Sequence, residues 1–140
     1  FKTIDLKTVD SYYPRLKDAY WIESEYQKEL PKVGIATLDD LILKTRDKKE
    51  RDELALRLLI PKEKLIQWME KAQLVNVKGL GVENLRLLEG VDIHFISALA
   101  EQDSEKLYEK MIQNFPGRPI PRKGKIRIWV KEARKVRSSP

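Results

Sequence analysis

The stretch that decides the fold is IPKEKLIQWMEKA at residues 60–72, which returns at residues 120–133 as IPRKGKIRIWVKEA. Both copies open with Ile-Pro, and proline suits the first turn of a helix because its missing N–H would have no partner there. Apolar residues then follow at helical spacing, Leu65, Trp68, Met69 and Ala72 in one copy and Ile126, Trp129, Val130 and Ala133 in the other. Each copy therefore predicts a helix with one buried stripe.

The repeat extends through most of the chain. A shift of 58 residues places Trp21 on Gly79 and Glu23 on Gly81. The same shift aligns apolar positions, Leu30, Ile35, Leu38 and Leu41 on Leu88, Ile93, Ile96 and Leu99. The duplication predicts an all-α fold in which two similar helical repeats pack as one pseudo-twofold domain. The predicted divisions are an N-terminal extension at 1–18, a first repeat at 19–76, and a second repeat at 77–137 with a basic C-terminal helix.

Each repeat is predicted to contain four helices. The first three span 24–33, 37–44 and 48–58 in the first repeat and 82–90, 94–100 and 104–114 in the second, and the fourth follows each Ile-Pro. Thr37 and Asp103 carry oxygen atoms that can accept hydrogen bonds from free N–H groups at helix starts. No segment alternates apolar and polar residues, so we expect no sheet. The single histidine, His94, is expected to be a half-buried helix residue.

The net charge of +6 is concentrated at the C-terminal end. Residues 1–115 hold 19 basic and 21 acidic residues, whereas residues 116–140 hold nine basic residues and one acidic residue. Basic side chains lie on the solvent side of the last predicted helix or crowd its start: Arg122, Lys123, Lys125, Arg127, Lys131, Arg134 and Lys135. Such a segment is typical of proteins with an anionic partner, although a solvated helix face explains it equally well.

A second candidate site is the segment Lys78-Gly79-Leu80-Gly81, which precedes a predicted helix. Two glycines one residue apart permit positive φ angles and leave the backbone uncovered. The free N–H groups at the start of the next helix favour an anion, and Lys78 and Arg86 add positive charge. The segment resembles the hairpin of the helix-hairpin-helix motif, which binds a nucleic-acid phosphate without reading bases. The alternative is a plain connector between helices.

The chain from near residue 19 to residue 136 also resembles the domain of unknown function 4332 family, which has a tandem helix-hairpin-helix-like fold. The resemblance is carried by Gly79-Leu80-Gly81, by the segment 34–41, and by Ile60-Pro61 with the residues up to Trp68 and Ala72. It implies two helix-hairpin-helix-like repeats packed as one pseudo-twofold domain. It implies no activity.

The first repeat departs from the hairpin pattern. Trp21 and Glu23 replace both glycines, and a bulky ring beside carboxylates cannot present bare backbone to a phosphate. We therefore expect the first hairpin to be structural. The aromatic residues of this region are typical of a protein interface, although a lid over a small core explains them as well. They are Tyr12, Tyr13, Tyr20, Trp21 and Tyr26.

Several classes of function are disfavoured by the residues present. The chain has no cysteine, which excludes disulfides, thiolate zinc sites and cysteine nucleophiles and leaves the compartment open. One histidine supports neither a metal site nor a Ser-His pair, and no phosphate-loop or dinucleotide-binding pattern occurs. No apolar run approaches the ~20 residues that cross a bilayer. We expect a soluble protein that is not an enzyme and that uses no cofactor, metal or small-molecule substrate.

Two functions are consistent with these features. The first is a non-catalytic module that binds nucleic-acid backbone phosphate through the second hairpin and the basic C-terminal helix. The alternative is a protein-interaction or assembly subunit that uses the aromatic region and docks its basic helix on an acidic protein. The sequence starts with Phe1 rather than Met, so we expect that an upstream segment, which could be a tag, a signal peptide or a transit peptide, was removed or left out.

Overall fold

The computed structural model describes residues 15–138, with side chains up to residue 136. The α-helices of this range are α1 Ser24–Glu29, α2 Leu38–Arg46, α3 Lys48–Leu58, α4 Lys62–Val75, α5 Gly81–Gly90, α6 Ile96–Ala100, α7 Ser104–Asn114 and α8 Lys123–Ser138. Two 3-10 helices, Leu16–Asp18 and Leu30–Val33, occur as well. Within the described range there is no strand, and the backbone bridge between Arg15 and Thr37 is isolated. The prediction of an all-α fold without a sheet is confirmed.

The chain divides into two compact units, one up to Ala72 and one from Gln73 onwards. The division falls near the end of α4. In the first unit α2 packs against α3, and α1 packs against the 3-10 helix that follows it. In the second unit α8 packs against both α6 and α7, and α5 packs against α7.

Side-chain caps fix the starts of three helices. The hydroxyl of Thr37 accepts a hydrogen bond from the Asp40 N–H (3.0 Å), and Asp103 accepts from the N–H groups of Glu105 (3.0 Å) and Lys106 (3.1 Å). Both predicted caps are confirmed. Asp47 caps α3 in the same way through the Glu50 N–H (2.9 Å). The hydrogen bond from Lys106 N–H, with help from that of Glu105, holds the pKa of Asp103 below its usual value.

The two units contain the same turn between their first and second helices. The Ile35 N–H donates to the Leu30 carbonyl at 3.0 Å, and the Ile93 N–H donates to the Leu88 carbonyl at 2.9 Å. The residue before each isoleucine has a positive φ, 88° in the first unit and 64° at Asp92 in the second. Donor, acceptor and positive-φ residue are each 58 positions apart, the shift that aligns the two halves of the sequence.

The predicted apolar stripes of α4 and α8 form part of the core. On α8 all four predicted residues are buried, and Trp129 has no exposed surface. On α4, Leu65, Trp68 and Ala72 are buried, with the indole of Trp68 only 3% exposed. Met69 is half-buried, so the stripe of α4 is narrower than predicted.

The prediction for His94 is wrong. Its side chain is 45% exposed, and the residue lies in the loop before α6 rather than in a helix. The positive φ of Asp92 continues the turn beyond α5 and delays the start of α6 to Ile96. The imidazole Nε2 instead lies 3.0 Å from the carboxylate of Asp92, at the surface.

An exposed leucine ends α3 in an unfavourable backbone conformation. Leu59 has a φ of 57° and ψ of 44°, and its side chain is 88% exposed. A left-handed conformation brings the Cβ of an L-residue close to the following carbonyl and costs roughly 1–2 kcal/mol. Glycine is the residue that most often occupies this position at the end of a helix. Among the described residues, no burial of Leu59 compensates for this cost.

Trp129→Ala should lower the free energy of unfolding by about 3–5 kcal/mol, because a fully buried ring is removed and a cavity is left. Urea denaturation followed by circular dichroism measures the loss. Ile128→Ala is the matched control on the same helix, since Ile128 is 47% exposed and its truncation should cost much less. Equal losses in the two variants would contradict the burial of the indole.

Leu59→Gly should raise the free energy of unfolding by about 1 kcal/mol, because glycine adopts the left-handed conformation without strain. Leu56→Gly is the control: Leu56 is also exposed but lies inside α3, where glycine should destabilise the helix by about 1 kcal/mol. Thermal melting of both variants separates the two effects by sign. A lower melting temperature for Leu59→Gly would show that the leucine side chain stabilises the fold.

Candidate nucleic-acid interface

The second hairpin is a tight turn closed by one backbone hydrogen bond. The Leu80 N–H donates to the Val77 carbonyl at 2.9 Å, and both of these side chains are buried. Gly79 and Gly81 have φ angles of 78° and 75°, which residues with a Cβ rarely adopt. A Cβ built on Gly81 would meet no atom within 4 Å, so the space beside that residue is open. Because its side chain is buried, Leu80 can contact a ligand only through its backbone.

Helix α5 begins in this turn without a side-chain cap. Leu80 precedes the helix, and its hydrocarbon side chain cannot accept a hydrogen bond from the N–H groups of the first turn. The amide of Asn84 points backward and donates to the Leu80 carbonyl at 2.7 Å. Glu83 lies in the first turn, exposed, where its charge compensates part of the helix dipole. The N–H groups at the start of α5 can therefore still attract an anion, although Glu83 weakens this attraction.

Two side chains of α8 lie beside the hairpin. The terminal methylene of Lys125 and the indole Nε1 of Trp129 are each 3.8 Å from the position that a Cβ on Gly79 would occupy. The structure therefore brings together the hairpin and the start of the basic helix, which the sequence could only treat as separate candidates. The Nε1 atom of Trp129 is buried, and no acceptor within the described residues bonds to it.

The other predicted hairpin residues differ in their availability. Lys78 is exposed in the turn itself. Arg86 is exposed on α5 but is already engaged by a neighbour within the chain. Lys78 is therefore the better candidate for contact with a ligand at the turn.

The basic side chains of α8 do not form one surface. An α-helix turns about 100° per residue, so Arg127 and Lys131 project about 160° and about 120° away from Lys125. Arg127 and Lys131 are exposed and form no ion pair or hydrogen bond with the described residues. Lys125 thus belongs to the hairpin, whereas Arg127 and Lys131 form a separate basic stripe.

Several of the predicted basic residues have partners within the chain. Arg134 donates from Nε to the Ala100 carbonyl (2.9 Å) and from a terminal nitrogen to the Gln102 carbonyl (3.2 Å), so it caps the end of α6. Lys135 pairs with Glu132 at 3.4 Å on the helix surface. The ammonium of Lys123 lies 5.4 Å from the centre of the Tyr108 ring. Arg122 precedes α8 and is exposed.

The first hairpin is closed by the same backbone hydrogen bond, but its side chains and its backbone conformation differ: Glu23 has a φ of −59°, whereas Gly81 has a φ of 75°. The Ile22 N–H donates to the Ala19 carbonyl at 3.1 Å, as Leu80 and Val77 do in the second unit. Trp21 occupies the position of Gly79, and its indole N–H donates to the Trp68 carbonyl at 3.2 Å. Glu23 occupies the position of Gly81 and forms an ion pair with Lys64.

The ion pair of the first hairpin shifts both of its pKa values. The hydrogen bond from Lys64 lowers the pKa of Glu23 below its ordinary 4.5, and the same bond raises the pKa of Lys64 above 10.5. The stabilising contribution of the carboxylate is lost only as pH falls through its lowered pKa, and that of the ammonium only as pH rises through its raised pKa. Both groups are therefore charged at neutral pH.

The aromatic residues of the first unit cover its core. Trp21 packs edge-on against Tyr20 with ring centres 5.3 Å apart, and Tyr26 packs against Trp68 with ring centres 5.4 Å apart. Tyr20, Trp21 and Tyr26 are all half-buried. Tyr12 and Tyr13, the other predicted interface aromatics, lie outside the described residues.

Two kinds of site can be judged for the described range alone. Between residues 15 and 138, no three acidic or histidine side chains come together in a group that could hold a metal ion. No helix in the same range is long and apolar enough to cross a membrane.

The comparisons with known proteins identify a family but no characterised relative. No curated protein and no solved structure matches the chain. The family described as a domain of unknown function (DUF4332) matches residues 21–136, a range that includes both hairpins and most of the basic helix. This match confirms the resemblance noted in the sequence. Because it covers well over half of the chain, the protein belongs to the DUF4332 family.

Proposed function

We propose that this protein is a non-catalytic binding module that contacts the backbone phosphates of nucleic acid without sequence specificity. The observation that carries the proposal is the hairpin at residues 79–81, where two positive-φ glycines, an uncapped helix start and the side chain of Lys125 lie together. The backbone N–H groups of the turn and the ammonium of Lys125 are hydrogen-bond donors. Phosphate oxygens accept such bonds and are present in every nucleotide.

The absence of sequence specificity follows from the kind of groups at the hairpin. Backbone N–H groups and a lysine ammonium recognise a negative oxygen and do not discriminate between base edges. The separate basic stripe of Arg127 and Lys131 adds attraction that depends on charge alone. Glu83 opposes the anion at the start of α5, so we expect the affinity to be modest.

The same proposal includes a tandem helix-hairpin-helix-like organisation. What supports it is the recurrence, within each unit, of a hairpin turn, an aspartate cap and a buried tryptophan at matching positions. The pseudo-twofold packing of the repeats stays a prediction from the duplication in the sequence.

Random-sequence duplex DNA should bind the protein with an affinity that falls steeply as salt rises, because bound counterions are released from the phosphates. Arg127→Gln and Lys131→Gln should each weaken binding to every duplex by a similar factor and lower the salt slope by up to about one. Fluorescence anisotropy across a series of salt concentrations measures both quantities.

The control for charge alone is Arg57→Gln, which removes an exposed arginine of the first unit. It should change the salt slope less than either change on α8. Arg134→Gln is unsuitable for this purpose because it also removes the cap of α6. Failure of the duplex to bind at low salt would refute the nucleic-acid function.

The alternative is a protein-interaction or assembly subunit. It is favoured by the exposed Leu56 and Leu59, since the chain retains a strained leucine that it does not bury itself. A protein partner presents carboxylates at fixed places, so one of the two α8 changes would dominate. Bidentate pairing would also make Arg127→Lys harmful, whereas attraction that depends on charge alone would tolerate it. The pattern of losses therefore separates the two functions.

A further inference from the structure

Lys64 and Lys125, the third residues of α4 and α8, occupy equivalent positions. The Lys64 N–H donates to the Pro61 carbonyl at 3.1 Å, and the Lys125 N–H donates to the Arg122 carbonyl at 3.0 Å. Each lysine precedes a fully buried residue and lies four positions before a buried tryptophan. The structure of one unit can therefore be used to interpret the other.

The equivalent lysines differ in what they bind. In the first unit Lys64 forms an ion pair with the carboxylate of Glu23. Glu23 lies two residues after Trp21 in the hairpin. In the second unit the residue equivalent to Glu23 is Gly81, and the space where its Cβ would lie is empty of neighbours. Lys125 is exposed and forms no ion pair or hydrogen bond with the described residues. The first hairpin thus supplies its own anion, and the second does not.

We infer that Lys125 binds an oxygen of an anionic ligand beside the second hairpin, as Lys64 binds the Glu23 carboxylate in the first unit, with the indole N–H of Trp129 as a second donor. The inference rests on the proposed function, and it names the residues that bind the phosphate. In the first unit the Glu23 carboxylate substitutes for that ligand. A duplex should therefore bind at the second hairpin and not at the first.

The buried indole supports this assignment independently of the repeat. A buried N–H without an acceptor loses its hydrogen bonds to water without replacing them, so such groups are uncommon in folded proteins. The Nε1 of Trp129 is such a group, and it lies beside Gly79 and the terminal methylene of Lys125. A phosphate oxygen at that place would accept bonds from the ammonium and the indole together.

The ligand class follows from the donors available. The group bound must carry negative charge and accept several hydrogen bonds, as a phosphate diester does. A carboxylate satisfies the lysine in the first unit, but the open space at Gly81 also accommodates a larger tetrahedral group. Among the ligands of this chemistry, we assign the phosphate of a nucleic-acid backbone.

The test uses inorganic phosphate as the probe and the indole N–H resonance of Trp129 as the reporter. Titration of the full chain, followed by two-dimensional NMR, should shift this resonance and the amides of Gly79 and Gly81 in a saturable way. Lys125→Met should weaken the binding by roughly tenfold or more, because a charged hydrogen bond is lost. Lys64→Met is the matched control and should leave it unchanged, since Lys64 is already paired. Equal effects of the two changes would overturn the assignment.

A second pair of variants tests the carboxylate as a substitute for the ligand. Gly81→Glu should place a carboxylate within reach of Lys125, and it should abolish phosphate binding. Gly81→Ala carries the same strain at a φ of 75° but adds no charge, so it should retain binding. Phosphate binding that survives Gly81→Glu would contradict the inference.

The results separate this inference from the proposed function. Phosphate binding that requires Lys125, combined with no affinity for duplex DNA, would support the site and overturn the nucleic-acid function. Duplex binding that Lys125→Met leaves unchanged would support the function and overturn the assignment of Lys125. Loss of both phosphate and duplex binding in Lys125→Met alone would support both.

Discussion

The burial of one face of α8 is the interaction on which the second unit depends. This helix packs against α6 and α7, and its fully buried Trp129 lies beside the hairpin that begins α5. Arg134 on the same helix holds the end of α6 through two carbonyl hydrogen bonds. The site at the hairpin therefore depends on the position of α8, because the side chains of Lys125 and Trp129 that lie beside the hairpin belong to this helix. Trp129 is also part of the core.

The helices and two of their caps could be predicted from the sequence because the physical causes are local. The limits of α3 and α7 agree with the prediction at both ends, and Thr37 and Asp103 cap their helices as expected. What the sequence could not show depends on residues far apart along the chain. Arg134 looked like a free surface charge, and its role at Ala100 requires the packing of α8 on α6. The proximity of Lys125 to Gly79 is of the same kind.

The two hairpins share the hydrogen bond that closes them but differ in whether the polar side chains beside them are paired. The backbone hydrogen bond that closes the turn is the same in both units, but the backbone at the tip differs, because Glu23 has a φ of −59° where Gly81 has a φ of 75°. In the first unit those side chains close the site, Trp21 through a bond to Trp68 and Glu23 through its pairing with Lys64. In the second unit glycines leave the lysine without an anion. One copy thus pairs these polar groups within the chain, whereas in the other copy the indole N–H of Trp129 has no acceptor among the described residues.

The geometry of α8 also limits what a single ligand can contact. Because Lys125 and Arg127 project about 160° apart, a phosphate held at the hairpin cannot also touch the basic stripe of Arg127 and Lys131. The stripe can act on such a ligand only through its field, which salt screens over roughly 10 Å at moderate ionic strength. Under the proposed function, Lys125 therefore contacts the ligand, whereas Arg127 and Lys131 attract it over a longer distance. Under the same proposed function, the hairpin determines which chemical group is bound, and the stripe increases the rate at which anionic partners arrive.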